Sequence, residues 1–292
     1  MKVQLDCFPC FLRQVVIALR LCTKDKELEE RVIKSVLPEV ERTDMSKSPA
    51  HTTTFIHRKI RQMLGTDPFR EVKHEYNEHA LGLYPSLMDR IKNSPDPLLT
   101  SARLAIAGNI IDFGIFSSVD IESTVERALN GPIEADDYPA FRKAVDASHD
   151  ILYLADNAGE IVFDRMLIET LNGFGKCVTV AVKGSPVLND ATIEDAGQAG
   201  ITGLCEVVDN GSDCIGTILD MTSKEFNRIF DNSGLVISKG QGNFETLMNE
   251  RREKIFFLFQ SKCDVVSREL GVPLKSMLLK EHGEKNPLKK GL

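Results

Sequence analysis

What most constrains this chain is a change of rhythm near residue 150. Beyond it, short runs that are almost wholly apolar, at 151–155, 177–182, 206–208, 234–238 and 255–259, alternate with stretches of helical periodicity, 214–229 among them. Strands covered on both faces read as continuous apolar runs, because crossover helices lie on the two sides of a parallel sheet. The alternation predicts an α/β fold: a three-layer α/β/α, mostly parallel, doubly wound sheet. Ligands of such sheets bind beyond the carboxyl ends of the strands. The residues that follow each run are therefore the ones that matter for function.

The first hundred residues carry no such runs. Apolar residues recur at helical spacing over 10–21, 27–37, 50–64 and 69–91, and a further helix is expected over 98–111. Pro38, Pro49, Gly65, Asp67-Pro68 and Ser94-Pro95-Asp96-Pro97 divide these segments. Asp67 reads as an N-cap with Pro68 at the first helical position. The expected organisation is an all-helical N-terminal subdomain over 1–100, an α/β domain over 101–280 and a polar tail over 281–292. No internal repeat is visible.

Composition narrows the function. With 42% hydrophobic and 27% charged residues among 292, the chain has material for a real core, which excludes disorder as its main state. Lys+Arg 36 against Asp+Glu 43 gives a net charge of −7, no electrostatic footprint for nucleic acid, although a local basic pocket is compatible with it. No run approaches the roughly 18 apolar residues of a membrane span, and the stretch from Met1 to Asp6 lacks a signal peptide's apolar core. No membrane partner is expected. Seven cysteines, an odd number, argue against a disulfide framework and for a reducing compartment, the cytoplasm. Oligomeric state leaves no trace in the sequence.

The residues after the apolar runs are polar and suited to one site. Asp156 and Asn157 follow the first run, Lys183, Asn189 and Asp190 the second, and Lys239, Gly240, Gln241, Gly242 and Asn243 the fourth. Adjacent strands lie about 4.8 Å apart, so Asp156 and Asp190, one strand–helix–strand unit apart, can share one cation, with Asn157 adding an amide oxygen. Two carboxylates, an amide and open positions suit a divalent ion such as Mg²⁺ or Mn²⁺. The same residues read equally as helix N-caps, a common task for Asp in such loops. Lys183 and Lys239 each end a predicted strand. Gly240 and Gly242 permit backbone N–H groups to approach an anion, without a Walker motif. Asn109 and Asp112 share a helix face, either at the site or facing solvent.

Cys7-x-x-Cys10 reads as half a zinc site, a redox pair or a small cysteine cluster inside the helical region. Cys22 and Cys263 stand alone. The six histidines show no HExxH arrangement, and His57, His74 and His79 read as packing or surface residues.

The loops, taken together, resemble a known family. Leu154-Ala155-Asp156-Asn157-Ala158-Gly159-Glu160-Ile161-Val162-Phe163-Asp164 resembles a signature of the damage-control phosphatases, the ARMT1-like family formerly catalogued as a domain of unknown function. The likeness continues in Lys183-Gly184-Ser185-Pro186-Val187-Leu188-Asn189-Asp190-Ala191-Thr192 and in Ser238-Lys239-Gly240-Gln241-Gly242-Asn243-Phe244-Glu245. The Cys7-x-x-Cys10 start and Gly108-Asn109-x-x-Asp112 resemble its prokaryotic, CxxC-bearing branch. The motifs span nearly the whole chain in the family's order.

The resemblance implies a metal-dependent phosphatase acting on small phosphorylated metabolites, sugar phosphates or damaged side products, with Mn²⁺, Co²⁺, Ni²⁺ or Mg²⁺ as cofactor. It implies catalytic and metal-ligating roles for Asp156, Asn157 and Asp190, and substrate contacts from Lys239 to Asn243. Of the Arg-Thr-x-Lys motif of the eukaryotic branch, Phe259-Gln260-Ser261-Lys262 keeps only Lys262. Substrate detail therefore does not transfer from that branch. The expected mechanism has the cation grip a phosphoryl oxygen as a Lewis acid, with Lys262, Lys183 and the 239–243 loop neutralising the others. Asn109 and Asp112 would contact the rest of the substrate. The nucleophile is either water or Asp156. Ala158 stands where haloacid-dehalogenase phosphatases carry a second Asp, which disfavours that superfamily. Two other readings are an S-adenosylmethionine-dependent carboxyl methyltransferase, an activity also attached to the family, and a non-enzymatic module that binds a phosphometabolite or metal. Against the former, Ala158-Gly159 is a poor nucleotide loop.

Overall fold

Four helices lie within the first hundred residues, α1 (Cys7–Cys22), α2 (Lys26–Glu41), α3 (Pro49–Leu64) and α4 (Arg70–Lys92), and a fifth, α5 (Pro97–Ile110), starts there and runs beyond. The computed structural model describes residues 1–110, 118–252 and 254–283. Most helix boundaries follow the breakers read from the sequence, with two corrections. Pro38 lies inside α2, which continues for a further turn to Glu41; a proline removes only one backbone donor, and here the helix closes before that loss propagates. Asp67 does not cap α4. Its Oδ1 accepts from the Phe69 amide at 2.9 Å, turning the chain ahead of a helix that starts at Arg70.

Beyond these come α6 (Ser118–Asn130), β1 (Ala135–Asp136), α7 (Tyr138–Ala147), β2 (Asp150–Leu154), α8 (Glu160–Gly173), β3 (Cys177–Val182), α9 (Ile193–Gln198) and β4 (Glu206–Asp209). The described residues continue with α10 (Lys224–Asn232), β5 (Leu235–Lys239), α11 (Gly240–Leu247), β6 (Ile255–Gln260), α12 (Asp264–Leu270) and β7 (Met277–Glu281). Among the described residues the strands form one seven-stranded sheet, ordered β1-β7-β6-β5-β2-β3-β4. β6, β5, β2, β3 and β4 are mutually parallel; β7 is antiparallel to β6, and β1 follows the direction of β7. This is the three-layer, mostly parallel α/β fold expected.

Successive residues of a strand point to opposite faces, and both faces here are covered. Ile151, Tyr153, Val180, Ile237 and Phe256 pack in one cluster with buried residues of α4 to α9. Leu152, Leu154, Val236, Phe257 and Phe259 pack in the other with α1 to α3 and α10 to α12. The N-terminal helices thus supply part of both outer layers. At roughly 1.5–3 kcal/mol per fully buried apolar side chain, this two-sided burial is what makes the central strands read as unbroken apolar runs.

Three expectations need adjusting. Residues 214–229 are helical only from Lys224, with a short 3-10 turn at Leu219–Met221. Gly216 (φ 66°) presses against the backbone of Gly242, where a Cβ would lie 2.3 Å from the carbonyl oxygen, so tertiary packing holds this stretch as a loop. The strand β7 carries no strong sequence signal. Glu281, taken as the first residue of a polar tail, closes β7 opposite Phe256; the tail from 284 onward lies outside the described residues. Among the described residues no helix is long and apolar enough to cross a membrane.

The N-terminus is drawn into the molecule: the Met1 ammonium donates to the Glu245 carbonyl at 2.7 Å. The Glu245 carboxyl accepts from Gln241 Nε2 at 2.8 Å, and burial pushes it up to about 7 against the help of that bond and of the nearby ammonium. A carboxyl raised on folding holds its proton longer in the native state, so its contribution is complete below the unfolded value near 4.5 and is lost as pH rises through about 7. Replacing Glu245 by Gln removes that loss. Thermal melts should show Glu245→Gln above the parent protein by several degrees at pH 8, with the difference shrinking toward pH 5; a lower melting point at pH 8 would contradict the assignment.

Candidate active site

Strand order places the site. From β2 the chain winds outward through β3 to β4, then returns to β5 on the other side of β2 and continues to β6. The reversal between β2 and β5 is a topological switch point, where open α/β sheets leave a crevice at their carboxyl ends. Asp156 follows β2 there and Lys239 ends β5. Both strands turn into helices through a glycine in the left-handed region, Gly159 at φ 76° and Gly240 at φ 79°. At Gly240 the need is absolute: a Cβ would lie 1.9 Å from Asp156 Oδ2.

The segment after β3 folds back onto the β2 loop. Ala191 N donates to Asp156 O at 2.8 Å and Ala158 N to Asn189 O at 2.8 Å, pairing Asn157 with Asp190 in an isolated bridge. The two aspartates are thereby locked side by side. Neither is a helix cap: α8 is capped at Gly159, and α9 by a box formed by Thr192 and Asp195. The capping alternative fails at both positions.

Around Asp156 the polar groups are dense and buried. Its Oδ2 accepts from Asn157 Nδ2 at 2.6 Å and from Asn109 Nδ2 at 3.2 Å. Glu160 Oε2 accepts from the same two amides, at 2.8 Å from Asn109 and 3.0 Å from Asn157. Asn109 Oδ1 in turn accepts from Gln260 N at 3.1 Å. Lys239 Nζ donates to Glu160 Oε1 at 2.7 Å, to Ala105 O at 2.9 Å and to Asp164, which also accepts from Tyr153 OH at 2.8 Å. On the far side, Lys183 Nζ donates to Gly216 O and lies 3.4 Å from Asp190 Oδ2.

These contacts sort the carboxyls. Burial, then repulsion from Glu160 and Asp190, pushes Asp156 well above the usual range, with Lys262 and Lys183 opposing. Burial raises Asp190 to about 6 despite Lys183, and Asp164 to about 7 despite Lys239. Burial also works against the charge of Glu160, but Lys239 and Lys262 outweigh it and hold that carboxyl below its ordinary value. Crowding thus biases Asp156 toward its neutral form, a bias that a positive charge placed beside it would reverse.

The residues present fit a divalent cation. Asp190 Oδ2 is buried without a hydrogen-bond partner, and Asp156 and Asp190 repel each other. Among the described residues no three His, Cys, Asp or Glu side chains are arranged to hold a metal ion. The donor set is instead two carboxylates with the Asn157 amide oxygen, the amide being oriented by its nitrogen's bonds to Asp156 and Glu160. Hard oxygen donors of this kind suit Mg²⁺ and Mn²⁺.

Several sequence-predicted contacts are corrected. Lys239 is fully buried and its ammonium is taken by three acceptors beneath the rim, so it supports the site and does not face a substrate. Asn243 is likewise enclosed, its Nδ2 on Lys239 O at 2.8 Å and its Oδ1 receiving Thr217 Oγ1 at 2.8 Å. Gly242 packs on Ile215 and Gly216. Lys183 is buried beside Asp190. The expected glycine-rich anion loop is thus the first turn of α11, with Gly240 beneath Asp156 and Gln241 accepting from Lys262 N at 2.8 Å. Lys262 is exposed and lines a cleft of about 1090 Å³ together with Asn109, Asn157, Asn189 and Gln260. Asp112 lies outside the described residues.

Glu160, Asp164 and Tyr153 were not singled out from sequence. Glu160 and Asp164 stand four residues apart on α8, a spacing that was visible; only the fold reveals that β5 delivers a lysine between them. Asn77 was missed too: its Oδ1 accepts from Gly159 N at 2.6 Å, bracing the β2–α8 turn from α4.

With this geometry in hand, comparison with known proteins is decisive. Residues 3–278 match the model of the damage-control phosphatase ARMT1-like domain. The chain belongs to this family. It is 35% identical to damage-control phosphatase PH1575 of Pyrococcus horikoshii over 94% of this chain and 96% of that one. It is 32% identical to a damage-control phosphatase of Archaeoglobus fulgidus over 96% and 99%. The crystal structure of PH1575, described as a DUF89 family protein, superposes with a TM-score of 0.88 at 34% identity, covering 97% of this chain and 99% of that chain.

The close approach of Gly240 gives a test of the site within this family fold. Gly240→Ala adds a methyl group where Asp156 Oδ2 already lies and imposes an unfavourable φ. A displacement of about 1 Å at a reacting group costs on the order of a hundredfold in rate. The variant should keep its circular dichroism spectrum and lose phosphatase activity by about that factor; parental activity would remove Asp156 from the centre of the site.

Proposed function

We propose that this protein is a metal-dependent phosphomonoester hydrolase acting on small phosphorylated metabolites such as sugar phosphates or damaged side products. The observation that carries the reading is the buried juxtaposition of Asp156, Asn157 and Asp190 at the switch point, where two mutually repelling carboxyls meet and one Asp190 oxygen has no hydrogen-bond partner. Membership of a phosphatase family supports it independently.

Asp156, Asn157 and Asp190 would hold the cation, for which Mn²⁺, Co²⁺, Ni²⁺ or Mg²⁺ are the candidates. When bound, such an ion supplies Lewis-acid stabilisation of charge on a phosphoryl oxygen. The protein's own groups do the rest. Glu160 fixes the amides of Asn109 and Asn157 by accepting a hydrogen bond from each. Lys239 pairs with Glu160 and Asp164 beneath them and so lessens the charge that an incoming dianion would meet. Lys262 places an ammonium at the rim, and the first N–H groups of α11, from Gly240 and Gln241, add donors where a helix favours an anion. Phosphoryl transfer asks little covalent chemistry of a protein beyond such positioning. The free thiols and acidic composition fit a cytoplasmic enzyme whose partners are small substrates.

Hydrolysis of p-nitrophenyl phosphate should depend on added Mn²⁺, Co²⁺, Ni²⁺ or Mg²⁺ and vanish with EDTA. Lewis-acid stabilisation of several kcal/mol corresponds to about a thousandfold in rate. Asp156→Asn and Asp190→Asn should each lose activity on that scale while remaining folded by circular dichroism. Turnover indifferent to chelation, or near-parental rates in either variant, would overturn the reading.

A further inference from the structure

Two loops carry the candidate cation ligands, and one side chain of the helical layer reaches both. The β2–α8 loop holds Asp156 and Asn157 and closes at Gly159, the residue that caps α8. The β3–α9 loop holds Asp190 and runs into the box of Thr192 and Asp195 that opens α9. Asn77, on α4, accepts through Oδ1 from Gly159 N at 2.6 Å. Its Nδ2 donates to Asp195 Oδ1 at 3.0 Å and to Gln198 Oε1 at 2.8 Å. Asn77 has no exposed surface, so bulk water does not compete for these contacts.

Asp195 passes this hold to the second loop. Its Oδ2 accepts from Thr192 N and Thr192 Oγ1, each at 2.8 Å, and from Lys73 Nζ at 3.1 Å. Lys73 lies one turn before Asn77 on the same face of α4. Lys73 and Asp195 are both buried, and a buried charge persists only when paired, so each holds the other in place. Thr192 stands two residues after Asp190, as Gly159 stands two after Asn157. The same loops also meet directly, through the backbone bonds of Ala191 N to Asp156 O and Ala158 N to Asn189 O. Two bonds along one seam set register. A further tie, made through Asn77 and Asp195 to later residues of each loop, closes a ring and fixes the angle between them.

We propose that Asn77 is a positioning residue for the cation: by tying Gly159 to Asp195 it holds the Asp156–Asn157 and Asp190 loops at the separation that lets both carboxylates share one ion. The inference rests on the cation reading of the proposed function. Asn77 touches neither ion nor substrate; it acts through the loops that carry the ligands. Removing a group that orients metal ligands costs about 10- to 100-fold in affinity. A role in folding alone has a different consequence, because lower stability leaves the affinity of the folded protein for an ion unchanged.

The test measures binding of Mn²⁺ alone to the full chain, from the electron paramagnetic resonance of the free ion, beside the melting temperature without metal. Asn77→Ala should raise the Kd about tenfold or more. Asn77→Asp keeps an acceptor for Gly159 N but sets a second carboxyl against Asp195. Asp195→Asn turns an amide nitrogen toward a donor in either orientation, since Asn77, Thr192 and Lys73 all donate to that carboxylate. Each alone should weaken binding. Together they exchange donor and acceptor across one contact, and the double variant should recover most of the loss. Val145→Ala, which opens a cavity under α7, should lower the melting temperature and keep the parental Kd. An unchanged Kd in Asn77→Ala, no recovery in the folded double variant, or an equal rise in Val145→Ala would each overturn the positioning role alone. If the parent protein did not bind Mn²⁺, the cation reading would fall and this inference with it.

Discussion

A lysine with no exposed surface underlies the whole rim. Taking an ammonium out of water costs several kcal/mol, and only well-placed acceptors offset it. Lys239 finds three, on α5 and α8: Ala105 O, Glu160 and Asp164. Removing one partner of such a buried set costs about 3–5 kcal/mol, because the remaining charge is left unpaired. Strand β5 and helices α5 and α8 are thus bound into one unit. The ordering continues upward, since Glu160, fixed by Lys239, orients Asn109 and Asn157, and those amides meet Asp156. Rigidity at the rim originates in charge pairing beneath it.

How legible this was in the sequence depends on which physical constraint dominates at each position. Strands β2, β3, β5 and β6 could be read because a strand covered on both faces is apolar almost throughout, whereas the edge strand β4, half-buried at best, offers only Val207 and Val208. Strand β7 could not: Met277, Leu278, Leu279, Lys280 and Glu281 are helix formers without branching at Cβ, and pairing with β6 makes them extended. The loop at 214–223 has helical spacing, overridden by the contact of Gly216 with Gly242. At the site, Asp156, Asn157 and Asp190 could be found from their places after strands. Depth is what sequence does not encode. Lys239 ends a strand as a ligand-binding lysine would, yet its side chain runs into the helical layer on α8, and nothing in the linear order distinguishes the two outcomes.

The paired turns at Gly159 and Gly240 explain why so much chemistry fits into one crevice. Each converts a strand into a helix within a few residues, so the first turns of α8 and α11 open beside each other at the switch point. One delivers Glu160 and the other the backbone donors of Gly240 and Gln241. A side chain at Gly240 would occupy the space of the Asp156 carboxylate, so that glycine serves the acid of the neighbouring strand as much as its own turn.

A molecule of net charge −7 that binds anionic esters must attract them locally. At physiological ionic strength charges are screened beyond about 8 Å, so the overall balance matters little to a substrate already at the cleft. There the described lining includes Arg127, Lys262 and Lys275 against Glu134. Lys275 is held in the left-handed region at φ 67°, and its amide donates to Ser261 O at 2.9 Å, next to Lys262. The β6–β7 connection thereby sets two lysines on one edge of the cleft. These two lysines stand on the same cleft as Asn109 and Asn157, so the edge that favours an anion faces the amides that Glu160 orients.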